Sequence, residues 1–569
     1  MRQILILLLL IPTLLFAQSR KFAQKKTKKT IKTTKIVIQS RRLKVAKTLE
    51  QPKLVVGIVV DQMRYDYWYR YFDKYSEGGF KRLLRDGFNC RNHHYHYAMT
   101  VTAAGHAAVY TGSIPAISGM IGNEWFDQKL GESVYCVDDS TVHTVGSTNN
   151  KAGKMSPRNL LVSTITDQLR ISTNFRSKVV GVAIKDRGSI LPAGHTANAA
   201  YWFDSKTGNW ITSDYYMKDL PNWVKNYNAR KRPSELMQLG WKPLLPLDQY
   251  TESTADNKPY ESKLVGTTSP TLPQDLAGLS GDAYGILATT PHGNTITKEM
   301  ALEALKNEDL GKGSATDFLA VSFSTPDYVG HAFGPNSVEE QDTFLKLDQD
   351  IAEMLNAFDK QVGKNNYLVF LSADHGVMDI PGFWKEHKLP AGVLDVAKMS
   401  SNLKEKLKAT FGEGEYVRST DNYQFYLNHQ TLSDKKISVE DVTKIARQLF
   451  LSTNGVADII NLNDLGKANL NDYLLTLYKN GTHAKRSGDI QIVTEPGWFA
   501  GRLTGTTHGA PYNYDTHVPL LFYGWGIQKG ETFERTSVAD TAPTVAAMLK
   551  ILEPSGNVGK VIEAVMKKP

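Results

Sequence analysis

Residues 324–334 read STPDYVGHAFG and set a carboxylate, Asp327, four positions ahead of an imidazole, His331. Side chains four apart share one face of a helical turn, so the pair can grip a single metal ion. Alone, D-x-x-x-H fits a polar loop with an incidental histidine, and only partners elsewhere in the chain decide between the two. Asp327 follows the apolar stretch FLAVSFSTP, and three more such stretches end in ionisable residues. Asp61 follows LVVGIVV, Lys185 follows VVGVAI, and Asp374 with His375 follows YLVFLSA. One Asp after a strand is commonly a helix cap. Capping does not explain four strand ends bearing D, K-x-R, D-x-x-x-H and D-H. The segment GRLTGTTHGAPYNYDTHVPLLFYG (501–524) adds His508 ahead of the last apolar run. Asp327, His331 and His508 then make three ligands with a fourth position open, and Asp61, Asp374 and His375 make a second three. Neither set contains a thiolate, and such nitrogen/oxygen sets suit zinc or similar divalent ions.

Two such sites beside a hydroxyl would do hydrolytic chemistry, because zinc lowers the pKa of a bound water to about 7 and would ionise a bound hydroxyl in the same way. The segment TVTAAGHAAVYTG (100–112) offers Thr100, Thr102 and Thr111. Small residues follow Thr102, as the start of a close-packed helix requires, but spacing does not choose among the three. Lys185 and Arg187 flank Asp186. On an extended segment, side chains two apart face the same way, so both cations reach one site. A phosphate monoester carries nearly two negative charges and a diester one. The added cations favour the monoester, and Arg can bind two oxygens at once.

The elements that must position these residues are the runs at 54–60, 179–184, 318–323, 367–371 and 518–523. Each is near-continuously apolar and of strand length, as in a parallel sheet covered on both faces. Helical patterns lie between them, for instance at 337–358. The alternation predicts an α/β fold, a doubly wound, mostly parallel sheet with helices on both faces. In such sheets ligands bind beyond the carboxyl ends of the strands, which is how residues far apart in sequence can converge. Residues 201–285, rich in Trp, Tyr, Pro and polar groups, and residues 380–500, with patterns of their own at 438–451 and 489–493, are expected to be insertions capping the ligand site.

The chain has 569 residues, 41% of them hydrophobic and 22% charged, as in a globular protein with a substantial core. Residues 1–17 combine a basic start with an apolar stretch too short for a comfortable membrane span, which predicts a signal peptide cleaved after Ala17 and an exported, periplasmic or secreted protein. Residues 18–53 are expected to be a disordered basic leader. The net charge of +9 belongs to this end: thirteen Lys/Arg and one Glu in the first 50 residues leave 54 basic against 57 acidic residues in the rest. A polybasic leader can touch anionic envelope or membrane surface. The near-neutral body calls for no nucleic acid partner, and a monomer is expected. Cys90 and Cys136 are few for a disulfide scaffold, though they can pair in an oxidising compartment.

Read together, D-Q (61–62), T-A-A-G-H-A (102–107), G-N-E-W (122–125), K-D-R (185–187), P-D-Y-x-G-H (326–331), A-D-H-G (373–376) and T-H-G (507–509) resemble the alkaline phosphatase superfamily, in its branch shared with type I phosphodiesterases and nucleotide pyrophosphatases. Within that branch the chain is most similar to exported bacterial phosphate-irrepressible alkaline phosphatases that use a threonine nucleophile. The resemblance spans roughly residues 54 to 560 and implies a catalytic domain over 54–569. It implies Thr102 as nucleophile sharing one metal with Asp61, Asp374 and His375, a second metal on Asp327, His331 and His508, and zinc at both, two ions per chain. Asn123, Lys185 and Arg187 are implied to contact the phosphoryl oxygens of small phosphate monoesters. The alternative is a phosphodiesterase or nucleotide pyrophosphatase on the same metal core. The resemblance gives His106 and His517 no ligand role, so both are expected to make supporting hydrogen bonds. His93, His94 and His96 are expected to be structural. Neither cysteine begins the C-x-P/A-x-R pattern of a sulfatase.

Overall fold

The computed structural model describes residues 51–279 and 284–566. The expected signal peptide and nearly all of the basic leader lie outside these residues. Four of the apolar runs become fully buried strands, β1 (Leu54–Val60), β2 (Val179–Ala183), β3 (Asp317–Phe323) and β4 (Tyr367–Ser372). The fifth becomes β5 (Leu520–Gly524). The chain is tied down slightly before β1, since the Lys53 N–H donates to the Asn366 carbonyl (2.8 Å) and Thr316 Oγ1 donates to the Pro52 carbonyl.

In space β1 lies between β4 and β3, with β2 beyond β3, and all four are parallel. The sheet continues past β2 through Ala199–Asp204, Asn209–Ser213 and Thr144–Val145, and past β4 through β5, Phe88–His94 and Gly530–Ser537. Two expectations are corrected here. β5 runs antiparallel to β4, because an apolar run records burial on both faces and not direction. Residues 201–213 belong to the central sheet rather than to an insertion: Ala199–Asp204 pairs in parallel with β2, and Asn209–Ser213 pairs antiparallel with it in turn.

Register aligns the strand ends. Phe323 stands opposite Val60, Ser372 opposite Val59, and Ser322 opposite both Val59 and Ala183. Residues that follow these strands therefore emerge along one edge of the sheet. Leu520, the first residue of β5, pairs with Ser372. An antiparallel strand brings its preceding residues to that edge, which is why His508 comes before its strand while the other candidate residues come after theirs.

Four helices matter to the edge: α1 (Thr102–Thr111), α2 (Asp186–Ala193), α3 (Thr325–Phe333) and α4 (Val338–Gln361). Ser337 caps α4 by accepting from the Glu340 N–H. All ten residues of α1 are buried, which its alanines and glycine permit. At Gly105 a Cβ would lie 2.0 Å from the Asp374 carbonyl oxygen, so only glycine lets α1 seat against the end of β4.

Residues between 392 and 500 build a second, four-stranded antiparallel sheet, Val417–Asp421, Gln424–Leu427, Ile490–Thr494 and Val456–Asn461 in spatial order with Ile490–Thr494 third. Its core includes Leu403, Leu407, Phe425, Val442 and Ile459, each buried side chain contributing about 1.5–3 kcal/mol. Cys90 and Cys136 are both free and buried, in separate apolar clusters. Among the described residues no helix is long and apolar enough to cross a membrane.

Candidate active site

Thr102 is the first residue of α1, following Val101 in extended conformation. It is 1% exposed, and its Oγ1 lies 3.4 Å from Lys185 Nζ. The Lys185 ammonium also donates to Asp61 Oδ2 (2.8 Å) and Asp327 Oδ2 (2.5 Å), and sits over the Tyr328 ring. Burial opposes its charge, yet the two carboxylates hold its pKa above the ordinary lysine range. His106, one turn into α1, joins the pieces. Its Nδ1 lies 2.9 Å from the Thr102 carbonyl and 3.2 Å from Asp374 Oδ2, while Nε2 meets Ser322 Oγ at 2.8 Å. Thr102 and Asp374 thus adjoin one nitrogen atom.

The inner group is Asp61, Asp374 and His375, all 0% exposed. His375 Nε2 lies 3.6 Å from Asp61 Oδ1 and 3.5 Å from Asp374 Oδ2. Each of these three atoms is buried without a hydrogen-bond partner. His106 Nδ1 adjoins both the Thr102 carbonyl (2.9 Å) and Asp374 Oδ2 (3.2 Å), while His375 Nδ1 meets the Gly376 carbonyl (3.0 Å). With its Nδ1 engaged by the Gly376 carbonyl, His375 turns its Nε2 toward the oxygens of Asp61 and Asp374. Burial and the Asp374 charge push Asp61 well above the usual carboxylate range. Burial opposes the charge on Asp374 too, but His375 and His106 hold it below that range. Burial drives His375 down to about 3. Buried lone pairs this costly to leave unmatched fit a divalent cation.

The outer group is Asp327, His331 and His508, whose ligand atoms lie within 4.8 Å of one another. Asp327 Oδ1 is 3.2 Å from His331 Nε2 and 3.4 Å from His508 Nε2. Each imidazole directs its Nδ1 proton to a backbone carbonyl, His331 to Thr506 (2.8 Å) and His508 to Thr100 (2.7 Å), which leaves the Nε2 lone pairs turned toward the carboxylate. Burial opposes the charge on Asp327, but His331 and Lys185 hold it well below the usual range. The two groups adjoin. The His375 and His508 rings stack at 3.5 Å, and ligand atoms of Asp61, Asp327 and His375 also fall within 4.8 Å of one another.

Asn123 Oδ1 accepts from the Ala103 N–H (3.0 Å), which fixes the side chain at the start of α1. The expectation that Lys185 and Arg187 share an extended segment is corrected. Lys185 is extended, but α2 begins at Asp186, so Arg187 lies in the first helical turn. Its Nη1 donates to Tyr135 Oη (3.0 Å), which in turn donates to Asp186.

Sequence reasoning passed over two supports. Gln62, next to Asp61, is fully buried with φ +67°. Its backbone N–H donates to Asp374 Oδ1 (3.1 Å) and its Nε2 to Asp327 Oδ1 (2.6 Å), so one residue braces a member of each group. Gly330 makes room for it, since a Cβ there would lie 1.9 Å from Gln62 Oε1. Asp515 accepts from the Gly509 and Ala510 N–H groups (2.8 and 2.7 Å) and so holds the loop behind His508. Side chains of the second sheet region, Tyr423, Ile492 and Trp498, line a small cavity together with this loop. The expected structural histidines are packed: His94 stacks on His517, His93 meets Thr536 and His96 meets Ser537. His517 Nε2 meets the Arg91 carbonyl.

An edge-loaded α/β sheet carrying two carboxylate–imidazole groups beside a buried threonine defines the class. The family model for type I phosphodiesterases / nucleotide pyrophosphatases matches residues 55–517, and the chain belongs to that family, within the alkaline phosphatase superfamily. Among its relatives, a protein of Myroides odoratus named calcium-transporting ATPase is 48% identical over 525 residues, 91% of this chain and 96% of the relative. Alkaline phosphatase PafA of Elizabethkingia meningoseptica is 47% identical over 535 residues, 93% of this chain and 98% of the relative. The crystal structure of wild-type PafA superposes with a TM-score of 0.88 at 46% identity, covering 91% of this chain and all of that one. A PafA mutant matching equally well is altered at a threonine, an asparagine, a lysine and an arginine, at the same separations as Thr102, Asn123, Lys185 and Arg187.

Proposed function

We propose that Thr102 is the nucleophile with which this alkaline phosphatase cleaves phosphate monoesters, in a site that holds two zinc ions. One ion is assigned to Asp61, Asp374 and His375 with Thr102, the other to Asp327, His331 and His508. When bound, such ions supply the charge that ionises a hydroxyl and neutralises a departing oxygen. Thr102 Oγ1 attacks phosphorus in line, the phosphorus–ester oxygen bond breaks, and the alcohol departs with a proton. The phosphothreonine is then attacked by water, which frees phosphate and returns the hydroxyl. Asn123, Lys185 and Arg187 bind the phosphoryl oxygens. Arg187 is held for this by Tyr135, and Lys185 stands within 3.4 Å of the attacking oxygen.

The observation that carries this reading is the set of partnerless, fully buried atoms Asp61 Oδ1, Asp374 Oδ2 and His375 Nε2 next to Thr102. The two cations Lys185 and Arg187 favour a dianionic monoester over a diester. Rates on p-nitrophenyl phosphate and on its bis ester, measured with zinc content, test it. Faster turnover of the monoester and two zinc ions per chain are expected, and a preference for the bis ester would move the assignment to a phosphodiesterase. Export follows from the N-terminal residues, and detection of the chain beginning near Gln18 outside the cytoplasm would bear on it.

A further inference from the structure

The Ala103 N–H engages Asn123 Oδ1, which leaves Nδ2 as the side-chain donor for a phosphoryl oxygen. Asn123 ends the stretch 119–123, which belongs to neither helix nor strand, so no ladder of hydrogen bonds fixes its backbone. The second sheet region grips this stretch at both ends. Asn422 Nδ2 donates to the Glu124 carbonyl (2.7 Å), and Arg486 Nη1 donates to the Gly119 carbonyl (2.7 Å) with its guanidinium over the Trp125 ring. Two glycines admit these side chains. A Cβ on Gly122 would lie 2.6 Å from Asn422 Nδ2, and one on Gly119 would lie 2.5 Å from Arg486 Nη1. Asn422 is presented by a tight turn. Asp421 pairs with Gln424, so Asn422 and Tyr423 alone close the hairpin, at φ +54° and +61°. Asparagine tolerates this left-handed backbone, but glycine is the usual choice at the second position. Tyr423 is held there because its Oη accepts from the Ala500 N–H (2.8 Å) and its ring packs against both the main core and the core of the second sheet. One residue of the turn is the anchor, and the other reaches the active site.

We propose that Asn422 is a positioning residue for Asn123, so that the second sheet sets how tightly the site grips a phosphoryl group. This rests on the reading of Asn123 as a phosphoryl contact. Asn422 acts through the Glu124 carbonyl and not on the substrate. It fixes the backbone one residue from the donor, where the chain has no regular structure of its own, and a donor held in place before the substrate arrives binds it better.

The test uses the zinc-loaded full chain and reads kcat/KM on p-nitrophenyl phosphate, inhibition by inorganic phosphate, zinc content and Tm. Asn123→Ala is expected to lower kcat/KM by about 10²-fold. Asn422→Gly keeps the left-handed turn and removes only the amide. It is expected to lower kcat/KM and phosphate affinity by about tenfold each, with zinc content and Tm unchanged. Asn422→Asp keeps the shape but has no N–H for the carbonyl, and should lose as much. Added to Asn123→Ala, Asn422→Gly should cost less than about twofold further, because the two act on one contact. The proposal is overturned if either Asn422 variant matches the wild type while Asn123→Ala is impaired, or if Asn422→Gly costs the same factor with and without Asn123. If Asn123→Ala itself matches the wild type, the phosphoryl role of Asn123 fails and the proposal goes with it.

Discussion

The inner and outer acid–imidazole groups look alike in composition and differ in how they are built. Asp61, Asp374 and His375 leave the ends of β1 and β4 directly, are fully buried, and present three atoms with no partner. Sheet register aligns the strand ends they leave, through Val59 opposite Ser372. Asp327 and His331 instead ride on α3, and His508 arrives on a loop whose position depends on Asp515 and on the second sheet region. His331 keeps 34% of its side chain exposed, and Asp327 already accepts from Gln62. The difference teaches that one group is fixed by backbone pairing and the other by tertiary packing. The inner ion is expected to be held tightly and the outer to exchange.

The largest effect tests what the two groups share. Thr102→Ala is expected to lower monoester turnover by about 10⁴-fold or more and to leave the zinc content unchanged, because the other six proposed ligands remain. Near wild-type turnover would remove the nucleophile role. Next, the groups are set against each other. Asp374→Ala is expected to cost about 10³–10⁴-fold in kcat/KM and one zinc, with His331→Ala costing about 10²–10³-fold, since solvent can replace an exposed ligand more readily than a buried one. Timed removal of zinc by a chelator should show two phases, with activity lost in the faster. A single phase would break the comparison. A smaller effect addresses substrate choice. Lys185→Ala with Arg187→Ala is expected to lower monoester kcat/KM by about 10²–10³-fold while diester turnover changes less than about tenfold.

The inner group was the more legible in the sequence, and the reason is physical. A buried strand leaves an unbroken apolar run, so LVVGIVV and YLVFLSA mark where Asp61 and Asp374 emerge. The same signal was silent on direction, which is why the antiparallel β5 was unforeseen although His508 before it was found. Ala199–Asp204 was hidden because a strand toward the sheet margin carries Tyr and Trp in place of an aliphatic run. Arg187 was placed on a strand because K-D-R carries no helix period, and only the turn at Lys185 shows that α2 has begun. Gln62 stands in the D-Q motif at 61–62, but nothing in the sequence signalled what its side chain does. Its work depends on a left-handed backbone and on two partners 265 and 312 positions away.

Gln62 also provides the finest test of the contrast. It supports the two groups by different atoms: a backbone N–H to Asp374, which any residue but proline retains, and a side-chain N–H to Asp327, which substitution removes. Partners of metal ligands typically govern affinity by about 10–100-fold. Gln62→Ala should therefore weaken the outer zinc by about tenfold and leave the inner one unchanged. In the chelator experiment only the faster phase should accelerate, and added zinc should restore monoester turnover to within about twofold of the wild type. Equal acceleration of both phases would mean that the glutamine holds the inner group through its left-handed backbone as well, and the two groups would then form one mechanical unit.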